Sequence, residues 1–169
     1  MSATNQTAYL AGGCFWGMEE LIRRIPGVLE TEAGYTGGDI PNATYEIVKT
    51  GRSGHAESMK VIFNPDLLSY RHLLFEFFRM HDPTTRDRQG NDVGTQYRSA
   101  IFYLDEAQKH TAEDVIRIVN ASGEWQAEVV TEVAAFKAFY SAEGYHQKYL
   151  LKHPHGYTCH FMRRMYLGE

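Results

Sequence analysis

The sequence predicts an α+β fold, a sandwich whose helices cover one or both faces of a mixed sheet. Strand-like alternation and helix-like spacing follow one another in the order strand, helix, strand, strand, helix, strand, with further elements behind. No internal repeat and no linker divides the 169 residues. A chain of this size, 43% hydrophobic, buries enough apolar surface for one core. We therefore expect residues 1–169 to form a single domain.

The first half of the chain supplies the opening strand, helix and strand. Residues 7–10 predict a short strand that ends in a pair of glycines, and apolar residues at helical spacing follow until Pro26. Residues 28–35 predict the second strand. The polar, glycine-rich stretch 36–54 predicts a loop, and loops of that length are usually functional.

The second half alternates between the same patterns and ends in a loop. A short tail at residues 1–6 and a C-terminal loop segment at 152–169, which carries the second cysteine, complete the predicted domain. The predicted elements are strands at 55–63, 96–104 and 128–133, helices at 67–80, 105–122 and 142–151, and turns at 82–94.

The charge pattern and the distribution of apolar residues argue against two classes of partner. A net charge of -4, with basic residues scattered singly, provides no surface for a phosphate backbone, so we expect no nucleic acid partner. No apolar run approaches the roughly 20 residues that a membrane span needs. The N-terminal segment is short and polar, and we expect a cytoplasmic protein without a membrane partner.

Cys14 is the candidate nucleophile. It stands between a glycine pair and Phe15-Trp16-Gly17, at the predicted start of a helix, where free backbone amides favour a thiolate and lower a cysteine pKa. Phe15 and Trp16 are the kind of residues that form an apolar pocket for a methyl group. The alternative is that the cysteine and both rings are ordinary core residues.

Glu57 is the candidate acid. Strand alternation places it on the same face as Met59, Val61 and Phe63, which predicts a desolvated carboxyl group with a raised pKa. Such a group stays protonated near neutral pH and can act as a general acid. The alternative is a carboxylate at a strand end that pairs with solvent or an arginine.

Tyr45 and Tyr97 are candidate hydrogen-bond donors. Tyr45 lies in the predicted loop, and Tyr97 follows a turn that leads into a strand. Protonated phenols suit a polarised acceptor such as a sulfoxide oxygen. Taken singly, each tyrosine is also explained as a packing residue.

The C-terminal segment collects His153, His155, Cys159 and His160. This composition invites a metal site, but strong zinc motifs usually carry paired cysteines at short spacing. The segment is loop-like and can bring Cys159 to Cys14, where a second thiol would convert a sulfenic acid into a disulfide. We expect the thiol role and no metal.

Three fragments follow one another along the chain: Gly13-Cys14-Phe15-Trp16-Gly17, Gly54-His55-Ala56-Glu57 and Gly94-Thr95-Gln96-Tyr97-Arg98-Ser99. With His81-Asp82-Pro83, the run 88–92 and Tyr145-His146-Gln147 they cover nearly the whole chain. In this order they resemble the A-type peptide methionine sulfoxide reductases.

The resemblance implies a ferredoxin-like core and reduction of the S epimer of methionine sulfoxide, free or in proteins, as a repair of oxidised proteins. It implies that Cys14 attacks the sulfoxide sulfur and that Phe15 and Trp16 enclose the methyl group. Asp92 matches a polar residue that organises the family's site. By the same resemblance, the sulfoxide oxygen is bound and protonated by Glu57, Tyr45 and Tyr97.

The resemblance also implies how the enzyme is regenerated. Cys159 attacks the Cys14 sulfenic acid, thioredoxin reduces the disulfide, and no metal or organic cofactor takes part. We further expect a monomer. The tail departs from the family, since many relatives read Gly-Tyr-Cys where this chain reads Gly156-Tyr157-Thr158-Cys159. Many relatives also have a cysteine where Lys49 stands, which leaves one internal thiol partner.

Two other functions compete with this one. A thiol peroxidase or a cysteine hydrolase also needs a thiolate at a helix start, although hydrolases usually need a histidine base. A metal-binding or interaction module built on the histidine-rich tail is the non-enzymatic alternative.

Overall fold

The computed structural model describes residues 4–169, so the first three residues of the predicted tail lie outside the described part. Within that part, residues 153–169 contain one turn and no helix or strand. The strands are β1 (Gln6–Gly12), β2 (Val28–Thr36), β3 (Ala56–Phe63), β4 (Arg88–Gln89), β5 (Asp92–Val93), β6 (Ser99–Tyr103), β7 (Glu132–Ala135) and β8 (Phe139–Ser141). The helices are α1 (Phe15–Ile22), α2 (Tyr45–Val48), α3 (Tyr70–Met80), α4 (Glu106–Ser122) and α5 (Tyr149–Lys152).

The main sheet is mixed, in the order β7-β6-β1-β3-β2-β8. Only the edge pair β6 and β7 is parallel among the pairs described, and the others are antiparallel. The succession β1-α1-β2-β3-α3-β6, with β1 and β3 at the centre, is the ferredoxin-like arrangement. The predicted α+β class, mixed sheet and ferredoxin-like core are confirmed.

The two faces of the sheet bury different sets of residues. Along β1, Ala8 and Leu10 face the large core, where they join apolar residues of α1, α3 and α4. Tyr9 and Ala11 face the other side, where the partly buried Phe136 and Phe139 cover them. The period of two along the strand therefore separates a helix-covered face from a face covered by loop and edge-strand residues.

The loop at 36–54 is ordered by a histidine and contains a short helix that the sequence did not predict. The Nδ1 atom of His55 accepts from the main-chain N–H of Gly38 at 3.1 Å. Its Nε2 atom bonds the carbonyl of Ile40 at 2.7 Å. Helix α2 follows, with the Thr44 hydroxyl accepting from the Ile47 N–H at 3.4 Å. Tyr45 is thus the first residue of a helix and not part of a coil.

The predicted helix at 142–151 is wrong. A 3₁₀ turn at Gly144–His146 is followed by Lys148 with φ of 51°, and only the four residues of α5 are α-helical. A left-handed residue interrupts helix hydrogen bonding, which local spacing does not reveal. The segment is held instead by long-range hydrogen bonds: the Lys148 N–H donates to the Glu19 carboxylate, and the Ala33 N–H donates to the Gln147 side-chain oxygen.

Strand boundaries also differ from the prediction. The strand predicted at 128–133 lies at β7, the strand predicted from residue 96 begins at Ser99 after a 3₁₀ turn, and the turn region 82–94 contains the β4–β5 hairpin. The three-residue β8 pairs with β2 and was not predicted. Short edge strands are fixed by their partner and carry little sequence signal.

Candidate active site

One cavity of about 190 Å³ contains most of the predicted site residues. It opens where α1 begins, at the ends of β1 and β3. A larger surface hollow of about 440 Å³ along β2 and β3 is lined without a thiol. His146 and Tyr157, which the sequence did not predict as site residues, line part of the cavity. The seven predicted residues that line it are Cys14, Phe15, Trp16, Tyr45, Glu57, Asp92 and Tyr97.

Cys14 is the N-terminal cap of α1 and is half-buried. The preceding Gly13 has φ of 99°, and a Cβ atom there would lie 2.7 Å from the side chain of Gln89. Glycine thus lets the chain turn into the helix against the β4–β5 hairpin. The thiol is free and reaches the cavity.

The prediction of a lowered Cys14 pKa is wrong. Burial raises the pKa of this thiol well above its usual value, and the nearby Glu57 carboxylate raises it further. The main-chain N–H of Trp16 acts in the opposite direction. A helix start contributes only about 0.3–1 kcal/mol near a surface, so desolvation outweighs it. Free Cys14 is therefore a thiol at neutral pH.

Glu57 is 2% exposed and lies on the helix-covered face of β3, as strand alternation predicts. Its Oε1 atom accepts from the main-chain N–H of Phe15 at 3.2 Å. Burial raises the pKa of Glu57 to about 8, although the Phe15 N–H opposes the shift. The carboxyl group is consequently protonated in most molecules at pH 7.

Tyr45 and Tyr97 approach the cavity from opposite parts of the chain. Tyr45 begins α2, and its main-chain N–H donates to the Glu143 carboxylate at 3.0 Å. Tyr97 ends the 3₁₀ turn before β6. Burial, followed by the Glu57 charge, raises the pKa of both phenols, so both remain hydrogen-bond donors.

Phe15 and Trp16 form the aromatic part of the cavity. Phe15 is 1% exposed and packs against Tyr35 with ring centres 5.7 Å apart, so it belongs to the core as well as to the cavity. Trp16 is half-buried and stacks on Tyr149 with ring centres 3.7 Å apart. The two rings give the cavity an apolar side opposite its polar groups.

His146 also lines the cavity, and no role was predicted for it from the Tyr145-His146-Gln147 motif. Its Nδ1 atom accepts from the indole Nε1–H of Trp16 at 2.9 Å, which leaves the proton of the neutral ring on Nε2. That nitrogen is buried and has no hydrogen-bond partner within residues 4–169. Among these residues no histidine forms a hydrogen bond with Cys14. The structure therefore does not support a thiol that is activated by a histidine base, as in the competing cysteine hydrolases.

Cys159 does not line the cavity but lies beside one of its walls. Its thiol donates toward the Gln89 carbonyl at 3.8 Å and lies 4.0 Å from Oδ2 of Asp92. The Tyr157 hydroxyl donates to the same carboxylate oxygen at 3.3 Å. Asp92, whose pKa burial raises, therefore connects the cavity to the segment that carries the second thiol.

The histidines of the tail do not gather. His153 and His155 are exposed, whereas His160 is buried and bonds the Gly12 carbonyl through Nε2 at 2.7 Å. Burial lowers the pKa of His160 to about 4, so it is neutral. In the described chain, no group of three His, Cys, Asp or Glu side chains is placed to hold a metal.

Comparison with known proteins gives a family match over nearly the whole chain. Residues 6–167 match the family model described as peptide methionine sulfoxide reductase. The chain is 57% identical over 163 residues to the peptide methionine sulfoxide reductase MsrA of Streptomyces coelicolor, covering 96% of this chain and 92% of that one.

Solved structures give the same result. Mxr1 from Saccharomyces cerevisiae in reduced form matches with a TM-score of 0.89 and 36% identity over 95% of this chain and 93% of that chain. Mxr1 in complex with Trx2 matches with a TM-score of 0.66 over 96% and 92% of the two chains, and at 24% identity this match supports the fold alone. No helix in residues 4–169 has the length and apolar character needed to cross a membrane. The chain belongs to the peptide methionine sulfoxide reductase family.

Proposed function

We propose that this chain reduces the S epimer of methionine sulfoxide, in proteins and as the free amino acid, with Cys14 as nucleophile and Glu57 as acid. One observation carries the proposal: a thiol and a carboxyl group that is protonated at neutral pH line the same small cavity, beside two aromatic rings. The family assignment is consistent with it.

The first step needs both groups. The sulfoxide oxygen accepts hydrogen bonds from Glu57, Tyr45 and Tyr97, which draws electron density from the sulfur and makes it electrophilic. Glu57 transfers its proton to the oxygen and then accepts the proton of the Cys14 thiol, so the carboxyl group is restored. This exchange explains how a thiol with a raised pKa reacts, because it needs no stable thiolate in the free enzyme.

The atoms balance without an added cofactor. The Cys14 sulfur attacks the sulfoxide sulfur and forms an S–S bond. The protonated oxygen then passes to the Cys14 sulfur as the S–S bond and the original S–O bond break, so Cys14 becomes a sulfenic acid and methionine leaves. The sulfur of Cys14 is oxidised by two electrons and the substrate sulfur is reduced by two. Phe15 and Trp16 contact the methyl group of the substrate.

The second step uses Cys159. Its sulfur attacks the Cys14 sulfenic acid, water leaves, and a disulfide forms. Thioredoxin then reduces the disulfide by thiol exchange. The position of Cys159 beside Asp92, which lines the cavity, supports this role. With Thr158 before it, the Cys159 thiol still lies 4.0 Å from Oδ2 of Asp92, one of the residues that line the cavity.

The arrangement supports selection of one epimer. A sulfoxide sulfur carries an oxygen, a methyl group, a side chain and a lone pair. The acid and phenols fix the oxygen, the rings fix the methyl group, and Cys14 fixes the face of attack. In only one of the two epimers does the rest of the substrate then point toward the opening of the cavity.

The test offers purified enzyme, in separate assays, each epimer of methionine sulfoxide, a peroxide and an ester. It follows methionine release from the two epimers and loss of substrate for the peroxide and the ester. We expect methionine from the S epimer alone. If the enzyme consumes neither epimer, the proposed function is refuted. If it consumes both equally, the assigned positions of the sulfoxide oxygen and methyl group are refuted. Preferred turnover of peroxide or ester would favour the competing thiol enzymes.

A further inference from the structure

Glu19 is a buried carboxylate that the proposed reaction does not use. It lies on α1 and is 1% exposed. Its Oε2 atom accepts from the Thr31 hydroxyl at 2.7 Å, and its Oε1 atom accepts from the main-chain N–H of Lys148 at 2.6 Å. Burial of a charge is unfavourable unless such bonds compensate it. The question is what the bond to Lys148 maintains.

The Lys148 backbone has a conformation that non-glycine residues seldom adopt, with φ of 51°. The bond to Glu19 fixes the main chain at this point. On the other side, the Gln147 amide donates to the carbonyls of Ala33 and Ala142 at 2.8 and 3.0 Å and accepts from the Ala33 N–H at 2.8 Å. Residues 147–148 are thus held by side chains, without strand pairing.

The residues on either side of this anchored pair both contact Trp16. His146 accepts from the indole N–H at 2.9 Å, and Tyr149 stacks on the indole with an interplanar angle of 10°. Trp16 and Glu19 are three positions apart on α1 and therefore lie on one side of the helix. The same segment is held by α1 at two points, one polar and one aromatic.

We propose that Glu19 is a positioning residue: by fixing the main chain at Lys148 it holds His146 and Tyr149 against Trp16 and so fixes the indole wall of the cavity. The inference rests on the proposed role of Trp16 in binding the methyl group. Glu19 touches neither the substrate nor the reacting atoms.

Loss of this anchor has a specific kinetic signature. When only a fraction of free molecules has the binding-competent cavity, the apparent affinity falls by that fraction, whereas saturating substrate restores the competent form. If the cavity is formed in a tenth of the molecules, KM rises about tenfold with little change in kcat.

The experiment compares Glu19→Leu with Thr31→Val. The second variant removes the Thr31 hydroxyl that bonds Glu19 and disturbs the same buried cluster. It keeps both contacts of Glu19 with Lys148, the main-chain N–H bond at 2.6 Å and the ion pair with Nζ at 3.8 Å. Both are made in a Trp125→Phe background, because the chain has two tryptophans and Trp16 then reports alone. The readouts are kcat and KM for methionine sulfoxide and the emission of Trp16 with and without substrate.

We expect Glu19→Leu to raise KM about tenfold or more, with a red-shifted emission that substrate reverses, and Thr31→Val to resemble the parent. Glu19→Gln keeps an acceptor for the Lys148 N–H and should restore both readouts. If Glu19→Leu does not fold, Gln147→Ala removes the second anchor and should give the same KM and emission changes.

Unchanged KM and Trp16 emission in folded Glu19→Leu would overturn the proposal. The same holds for Gln147→Ala where that variant is used instead. Changes in Thr31→Val as large as those in Glu19→Leu would also overturn it. The emission readout separates this inference from the proposed function. An enzyme that reduces no sulfoxide refutes the function, while the emission of Trp16 still decides whether Glu19 fixes the indole.

Discussion

The main-chain N–H of Phe15 donates to Oε1 of Glu57 across 3.2 Å, which joins the start of α1 to the centre of the sheet. Phe15 directly follows Cys14, so this single bond fixes the candidate acid relative to the candidate nucleophile. It also satisfies one of the amides that a helix start leaves without a partner. The opposing effects of burial and this bond leave the pKa of Glu57 at about 8.

Replacing Glu57 by glutamine should slow the first methionine release by about 10²- to 10⁴-fold, because an amide cannot transfer a proton. Glutamine can still accept from the Phe15 N–H, so the geometry is retained. Rapid-quench measurement of a single turnover tests this. An unchanged rate would remove Glu57 from proton transfer.

The single-turnover rate of the parent enzyme should be level below pH 7 and fall as pH rises through about 8, because Glu57 must carry its proton to act as an acid. A rate that rises with pH through this range would show instead that thiolate formation limits the reaction. The Glu57→Gln variant should lack the fall, which makes it the matched control.

Glu57→Gln should also make the protein more stable near pH 7.5. In the unfolded chain this carboxyl group releases its proton near pH 4.5, whereas in the native state it keeps the proton to about pH 8. Unfolding therefore releases a proton between these values, and stability falls as pH rises. Glutamine removes that loss, worth about 4 kcal/mol at pH 7.5 for a pKa of about 8 in the native state.

Urea denaturation of both proteins at pH 5 and pH 7.5 measures this effect. The stability difference should be small at the lower pH and grow at the higher one. A difference independent of pH would mean that Glu57 is ionised in the native state throughout.

The two cysteines should have separable effects. Cys14→Ser should abolish reduction, because an alcohol is a far weaker nucleophile than a thiol. Cys159→Ser should release one methionine per chain and then stop when thioredoxin is the reductant. Quantifying methionine per chain distinguishes these outcomes, and continued cycling of Cys159→Ser would exclude Cys159 as the resolving thiol.

Gly17→Ala should impair regeneration without impairing the first turnover. A Cβ atom at this position in α1 would overlap the ring of His160 and the hydroxyl of Thr158, which flank Cys159. We expect thioredoxin-driven turnover to fall by about 10- to 100-fold, since small displacements of reacting groups have effects of this size. Gly144→Ala, where a Cβ atom has nothing within 4 Å, is the control. If the rate of the first methionine release in Gly17→Ala falls as much as thioredoxin-driven turnover, the substitution does not act on regeneration alone and the prediction is wrong.

The sequence by itself determined the features that depend on local pattern. Strand alternation placed Glu57 on the buried face, and the glycine pair before Cys14 marked a strand, a turn and a helix start. The order of the main elements and the three family motifs are local as well. These features hold because side-chain direction in a strand or helix follows from its period alone.

The tertiary structure decided whatever depends on distant parts of the chain. Whether the helix start or burial controls the Cys14 pKa depends on how deeply the surrounding elements cover the thiol, and no local pattern gives that depth. Two long-range hydrogen bonds, from the Lys148 N–H to the Glu19 carboxylate and from the Gln147 amide to the Ala33 carbonyl, hold a turn where a helix was predicted and bring His146 to the cavity. Cys159 reached its place beside Asp92 in the same way, because the position of a coil is set by what it packs against and not by its own sequence period.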